Sequence, residues 1–163
     1  VHPVAAVQSE YSLWTRLPEL GILQTCRELG TSFVSFSPLG RGMLTDVEID
    51  PAMFPEGDFR RPNPRFNEPH FASNAARLRR LKAIAAREGV ATATLALAWT
   101  FRRAPDSIAI PGTRSQEHLA ENAAAADFEL TDALLDEIED ALPLGWAEGS
   151  RYTEAQKRGV EDY

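Results

Sequence analysis

A chain of 163 residues with 44% hydrophobic and 25% charged side chains can bury one core of its own, and no apolar run in it approaches the length of a bilayer span. Its formal net charge of −7 argues against a nucleic-acid surface, and the single cysteine, Cys26, excludes an internal disulfide and fits a reducing, cytoplasmic compartment. His2, His70 and His118 lie far apart and Cys26 has no partner cysteine, which leaves no spacing suited to a metal.

The chain opens on Val1 with no signal-peptide pattern, as a segment of a longer polypeptide would. Residues 4–7 form a short apolar run that predicts a buried strand leading into Gln8, Ser9, Glu10 and Tyr11. A helix is expected over 18–29, with Pro18 in its first turn, Leu20, Leu23 and Cys26 at helical spacing, and Gly30 at its end. Residues 32–36, Ser-Phe-Val-Ser-Phe, are aromatic and β-branched and predict a second strand, stopped by Ser37, Pro38, Leu39 and Gly40. From Arg41 to Ala72 no period holds, and Pro51, Pro55, Pro62, Pro64 and Pro69 punctuate the stretch; so long a connection reads as a lid or binding loop.

Ser73 then suits the cap of a helix whose Leu78, Leu81, Ile84 and Ala85 face inward and which Gly89 ends. The next helix, over 92–103, carries Leu95, Leu97, Trp99 and Phe101 on several sides and is therefore expected to be buried. Residues 107–110 predict a third strand, followed by a Pro111-Gly112 turn, a helix over 115–126, and a last helix capped by Thr131 with Leu134, Leu135, Ile138 and Leu142 on one face. A polar tail follows from Pro143.

Three short apolar strands alternating with helices predict an α/β fold of parallel βαβ units. Three strands alone leave two unpaired edges, so the pattern fits part of a closed eight-stranded (β/α)8 TIM barrel, whose functional groups sit at the C-terminal ends of the strands. The unusual residues do cluster just after strands, at Gln8, at Phe36 to Arg41 and at Gly112 to Arg114.

Two of these clusters suit a phosphate on physical grounds. Ile110-Pro111-Gly112-Thr113-Arg114-Ser115 delivers a capped helix N-terminus whose free N–H groups and dipole favour an anion. Gly112 admits a ligand to the backbone, Thr113 adds a hydroxyl, and Arg114 offers a planar fork, although an ordinary capped helix with a solvent-exposed arginine would read the same way. Phe36-Ser37-Pro38-Leu39-Gly40-Arg41-Gly42 ends a strand with glycines, a hydroxyl and a charge, a combination that wraps a pyrophosphate and also marks plain turns.

The run Ile-Pro-Gly-Thr-Arg at 110–114 followed by Glu121-Asn122 resembles the signature with which aldo-keto reductases hold the adenosine 2′-phosphate of NADPH. The resemblance implies that Thr113 and Arg114 contact the phosphate, that Glu121 and Asn122 hold the adenine, and that His118 stands where many relatives place Arg or Gln. Residues 36–42 are similar to the family's loop after the seventh strand, which implies Phe36 stacking on the nicotinamide and Ser37, Pro38, Leu39, Arg41 and Gly42 along the cofactor. Residues 8–14 are similar to the sixth strand and its exit, which implies a hydrogen bond from Gln8 to the carboxamide; Tyr11 and Trp14 read better as packing. The loop segments Asp58-Phe59-Arg60-Arg61 and Pro64-Arg65-Phe66 also resemble members of the family, and the loop is expected to cross the cofactor or the barrel mouth.

By the same resemblance the whole stretch 1–163 is the C-terminal, NADP-binding portion of such a barrel. The family's catalytic Asp, Tyr, Lys and His lie on the first four strands and match no position here. The expected parent is therefore an NADPH-dependent reductase of aldehydes or ketones, with this segment inactive alone and prone to associate with itself or with a complementary half. The alternative is a non-catalytic nucleotide-binding or regulatory module of the same fold.

Overall fold

The structure, a computed structural model, describes residues 2–157. Its strands are β1 (Ala6–Glu10), β2 (Ser32–Phe36) and β3 (Ser107–Ala109); its helices are α1 (Ile22–Leu29), α2 (His70–Arg87), α3 (Thr92–Arg103), α4 (Gln116–Ala124) and α5 (Asp132–Ala141). The strands pair in parallel in the order β1-β2-β3, with Gln8 beside Val34 and Val34 beside Ile108.

Because side chains alternate across a strand, the sheet has two unlike faces. Phe33 and Ser35 are buried beneath the helices, whereas Ile108, in register with Val34 and Gln8, is 55% exposed and Ile110 is 44% exposed. That second face would line a closed barrel. The core lies on the first, where Tyr11, Leu13, Phe66, Leu81, Leu95, Trp99, Ile138 and Leu142 are fully buried. α3 is the central helix, with every residue from Thr92 to Thr100 buried, as its all-round apolar pattern predicts.

Several elements depart from the sequence reading, beyond shifts of a residue or two at the ends of β3 and α4. β1 covers residues 6–10 rather than 4–7, so Gln8 lies inside the strand and is exposed on the barrel-lining face. The helix expected over 18–29 is broken at Gly21 into a 3-10 turn, Leu17–Leu20, and α1; Cys26 is buried on α1, but Leu29 is 74% exposed. α2 starts at His70 rather than at Ser73, because the 3-10 turn Pro64–Phe66 already feeds into it through the Phe71 N–H to Asn67 carbonyl bond, and the Ser73 hydroxyl donates to Glu148 instead. The tail after Pro143 is docked: Trp146 Nε1 donates to the Leu13 carbonyl at 2.7 Å, and Asn74 exchanges two hydrogen bonds with the Glu148 backbone.

Candidate functional site

At the C-terminal ends of β2 and β3 the surface opens into a trough with two lobes of about 510 and 810 Å³. Leu39, Gly42, Arg60 and Gly112 line both lobes and form the waist between them. The smaller lobe adds Ser37, Pro38, Arg41, Ile110 and Pro111; the larger adds Asp46, Thr113, Arg114, His118, Glu121 and Asn122. Of the residues that the sequence assigns to a cofactor, only Gln8 and Phe36 lie outside this lining. Phe36 is half-buried at the end of β2, and Gln8 is two residues earlier in register on the neighbouring strand.

The wall after β2 owes its shape to unusual backbone. Ser37, Gly40, Arg41 and Gly42 all have φ between +49° and +97°, conformations that non-glycine residues adopt at a cost. Gly40 is required twice over, since a Cβ there would stand 2.8 Å from the Trp14 ring. The Gly40 N–H to Ser37 carbonyl and Gly42 N–H to Leu39 carbonyl bonds close two tight turns and leave the backbone itself as the trough wall.

The opposite wall is the start of α4. Ser115 caps the helix by accepting from the His118 N–H, and the Thr113 hydroxyl accepts from the Ser115 N–H at 3.1 Å, so the turn is held without a large side chain. The Thr94 hydroxyl, donating to the Glu121 carbonyl at 2.7 Å, pins the second turn of α4 to α3. Asn122 is buried, and its Oδ1 has no hydrogen-bond partner among the described residues. Arg114 is exposed above this turn. Asp46 closes the far rim by capping α3, accepting from the Thr92 N–H at 3.0 Å and from the Thr92 hydroxyl.

The stretch from Arg41 to Ala72 is not structureless. Asp50 and Asn63 cap the 3-10 turns Pro51–Met53 and Pro64–Phe66, and the loop packs Phe54 and Phe66 into the core. Its anchor is a buried charge cluster at the end of β1. Glu10 accepts from Arg41 Nη2 at 2.9 Å and from the Thr15 hydroxyl, while Arg41 Nη1 and Asn63 Nδ2 both donate to the Arg151 carbonyl of the tail. Arg65 donates to the Trp14 carbonyl and the Thr15 hydroxyl; burial pushes its guanidinium down to about 10 against the pull of Glu10, with Arg41 and Arg151 adding to the drop. Arg41 thus borders the trough with a guanidinium already committed to Glu10 and to the tail.

Tyr11 belongs to a second buried network. Its hydroxyl donates to Glu19, which also receives both Nε and Nη2 of Arg16, and Arg16 reaches on to Glu139. Burial first, then the charge and hydrogen bond of Glu19, hold the Tyr11 phenol far above its ordinary range, a setting for a structural tyrosine. Among the described residues no group of three or more side chains is arranged to hold a metal ion, and no helix is long and apolar enough to cross a membrane.

A family model described as Aldo/keto reductase family matches residues 1–143. The chain belongs to this family. It is 39% identical over 155 residues to the aldo-keto reductase yakc of Schizosaccharomyces pombe, whose name carries NADP(+), covering 93% of this chain and 46% of that protein. It is 40% identical over 135 residues to the aldo-keto reductase str7 of Strobilurus tenacellus, covering 81% of this chain and 40% of the relative. The chain therefore spans less than half the length of these curated relatives. A glycerol dehydrogenase from Gluconobacter oxydans superposes with a TM-score of 0.80 at 25% identity, over 94% of this chain and 46% of that one. An aldo/keto reductase from Klebsiella pneumoniae, solved with NADP and acetate, shares the fold at a TM-score of 0.62 and 23% identity, over 91% of this chain and 43% of that one.

The aldo/keto reductase segment is thus part of a barrel, with the strand ends gathered around the trough. Arg60 and Asp46 also line it, and the sequence assigns neither of them a contact with the cofactor. Arg60 sits in a segment singled out by resemblance, but nothing in its spacing announces the bidentate pairing with Asp58 that holds it at the waist. Asp46 reaches α3 across 46 positions of sequence, a contact that no local signal marks.

Proposed function

We propose that the trough binds NADP(H), and that the protein carrying this chain uses it to reduce a small aldehyde or ketone to the alcohol. The observation that carries this reading is Asn122 Oδ1, a buried acceptor with no partner among the described residues, in the same lobe as Thr113 and Arg114. Such an atom costs about 1–3 kcal/mol until a donor meets it, and the exocyclic amine of adenine is a donor of the right kind. The same lobe offers what an adenosine 2′-phosphate needs: the first-turn N–H groups and dipole of α4, and an exposed Arg114 able to bind in bidentate fashion. Glu121 and His118 complete the rim of that lobe.

In this reading the smaller lobe takes the nicotinamide riboside. Ser37, Pro38, Leu39 and Gly42 supply a preformed backbone wall, and Phe36 stacks on the ring so that one face is left for the substrate. Gln8, from the adjacent strand, holds the carboxamide. The bound cofactor supplies the hydride. This chain's own residues bind, orient and exclude water, and the proton for the developing alkoxide comes from the Asp, Tyr, Lys and His that the family carries on earlier strands. The bare sheet face with Ile108 and Ile110 is where that remainder of the barrel packs.

Calorimetric titration of Arg114→Ala in the full polypeptide tests the assignment. NADPH should weaken by about tenfold or more while NADH changes little, because a charge-assisted contact to the 2′-phosphate is lost. Equal losses for both cofactors would sink the phosphate role. Tight NADPH binding with no turnover of any aldehyde or ketone would favour the non-catalytic module instead.

A further inference from the structure

We propose that the outer groove between α2 and the segment 43–49 binds a small organic anion, an apolar chain ending in a carboxylate, and that its occupancy opposes filling of the trough. The binding half of this stands on the groove alone. The coupling half rests on the dinucleotide reading of the trough.

The groove has a volume of about 190 Å³, and all its lining comes from the connection between β2 and α3. Sites for drug-sized molecules run to ~300–1,000 Å³, so the occupant is small. One wall is a stripe of α2, residues 71, 75, 78, 79 and 82, whose spacing keeps them on one side of the helix. The stripe is graded along its length. Phe71, Ala75 and Leu78 are apolar, and Arg79 and Lys82 follow. Met43, Val47 and Ile49 line the other wall; Met43 and Leu78 are buried, whereas Val47 is 54% exposed.

Little of the positive charge is paired. Arg79 is exposed and makes no hydrogen bond or ion pair among the described residues. Lys82 reaches only the Asp46 and Val47 carbonyls, each at 3.4 Å, beyond the usual length of such bonds. The one carboxylate of the lining, Glu48, pairs with neither cation, so two positive charges face one negative in a chain whose net charge is −7. An anion with an apolar body matches this gradient, its body against Phe71, Ala75 and Leu78 and its head between Arg79 and Lys82.

Val47 and Ile49 also line the larger lobe of the trough, which makes the segment 46–49 a wall common to both cavities. Lys82 ties that wall to α2 through its two carbonyls, and Asp46 ties it to α3 as the cap at Thr92. An anion that draws the Lys82 ammonium to itself takes it from the wall, and the lobe loses support on that side. Two ligands that need different arrangements of one wall weaken each other by the same factor.

Calorimetric titration of the full polypeptide with hexanoate, and with hexan-1-ol as the uncharged counterpart, tests both halves. Hexanoate should bind with a Kd of about 1 mM, the strength expected of so small a ligand, and hexan-1-ol about tenfold more weakly. Arg79→Gln should weaken hexanoate about tenfold and leave the Kd of NADP+ alone within about twofold. Arg80→Gln, one residue on and outside the lining, should change neither. With hexanoate at about 10 mM, the Kd of NADP+ should rise about fourfold in the wild type and less than about twofold in Arg79→Gln. Hexanoate binding that is absent, or that survives Arg79→Gln undiminished, overturns the site. Binding that Arg79→Gln weakens but that leaves NADP+ affinity unmoved overturns the coupling. A wild type that takes up hexanoate in the groove and binds no dinucleotide sinks the cofactor reading and leaves the groove standing.

Discussion

Asn122→Leu separates a binding role from a structural one. In the free protein Asn122 is buried, yet its Oδ1 finds no donor among the described residues. Replacing an unsatisfied buried acceptor by an apolar group of similar size recovers about 1–3 kcal/mol, less up to about 1.5 kcal/mol for imperfect fit of the branched side chain. The expected change in unliganded stability therefore lies between a loss of about 0.5 kcal/mol and a gain of about 3 kcal/mol. Losing the bond to adenine should weaken NADPH by about tenfold, which is about 1.4 kcal/mol. With NADPH at about 100 times the wild-type Kd, ligand stabilisation is about 2.7 kcal/mol in the wild type and falls to about half that in the variant. Denaturant unfolding with and without NADPH reads both quantities in one experiment. A variant that is less stable without ligand by more than about 1 kcal/mol, yet keeps the full NADPH increment, would show that Asn122 serves the fold and not the ligand.

Gly40→Ala should destabilise by about 1–3 kcal/mol in denaturant unfolding, since the backbone φ of +56° disfavours any side chain and the new Cβ would press on the Trp14 ring at 2.8 Å; a loss below about 0.5 kcal/mol would mean that the loop moves freely. Glu19→Gln should cost about 2–4 kcal/mol at neutral pH by leaving Arg16 short of its bidentate partner. Its pH dependence has a definite sign. Burial raises the Glu19 carboxyl, but the hydrogen bonds and charge of Arg16, with Tyr11 and Arg103, outweigh this and hold it below its ordinary value of 4.5. The stabilisation is therefore complete above that value and disappears as pH falls through the lower, folded value. The wild-type and Glu19→Gln stability curves should converge in acid, and a gap that stays constant down to pH 2 to 3 would contradict the network.

Much of the trough was legible in the chain because its chemistry is local. A strand, a Pro-Gly turn and a capped helix occupy consecutive residues at 107–124, and the glycines and serine after β2 occur within seven positions, so composition alone marks both walls. The caps at Ser115 and Thr131 are likewise short-range and appear where the sequence places them. What was not legible depends on contacts far apart in sequence. The start of α2 moves from Ser73 to His70 because the preceding 3-10 turn and the tail at Glu148 both engage it. The tail itself reads as irregular and polar, yet Trp146 and the Arg151 carbonyl dock it onto the β1 exit and the long loop. The resemblance assigns Arg41 to the cofactor and puts Arg60 only in a loop expected to cross it, and the folded chain alone shows Arg41 committed to Glu10 and Arg60 paired with Asp58 beside Gly42.

A crystal structure of the full polypeptide grown with saturating NADP+ is the most direct measurement. Density for one dinucleotide should run from Ser37 and Leu39, through the waist between Gly42 and Gly112, to Arg114 and Asn122, with the 2′-phosphate at the start of α4. A dinucleotide bound elsewhere, or a trough left empty at saturation, would contradict the reading of this chain as the cofactor-holding part of the barrel.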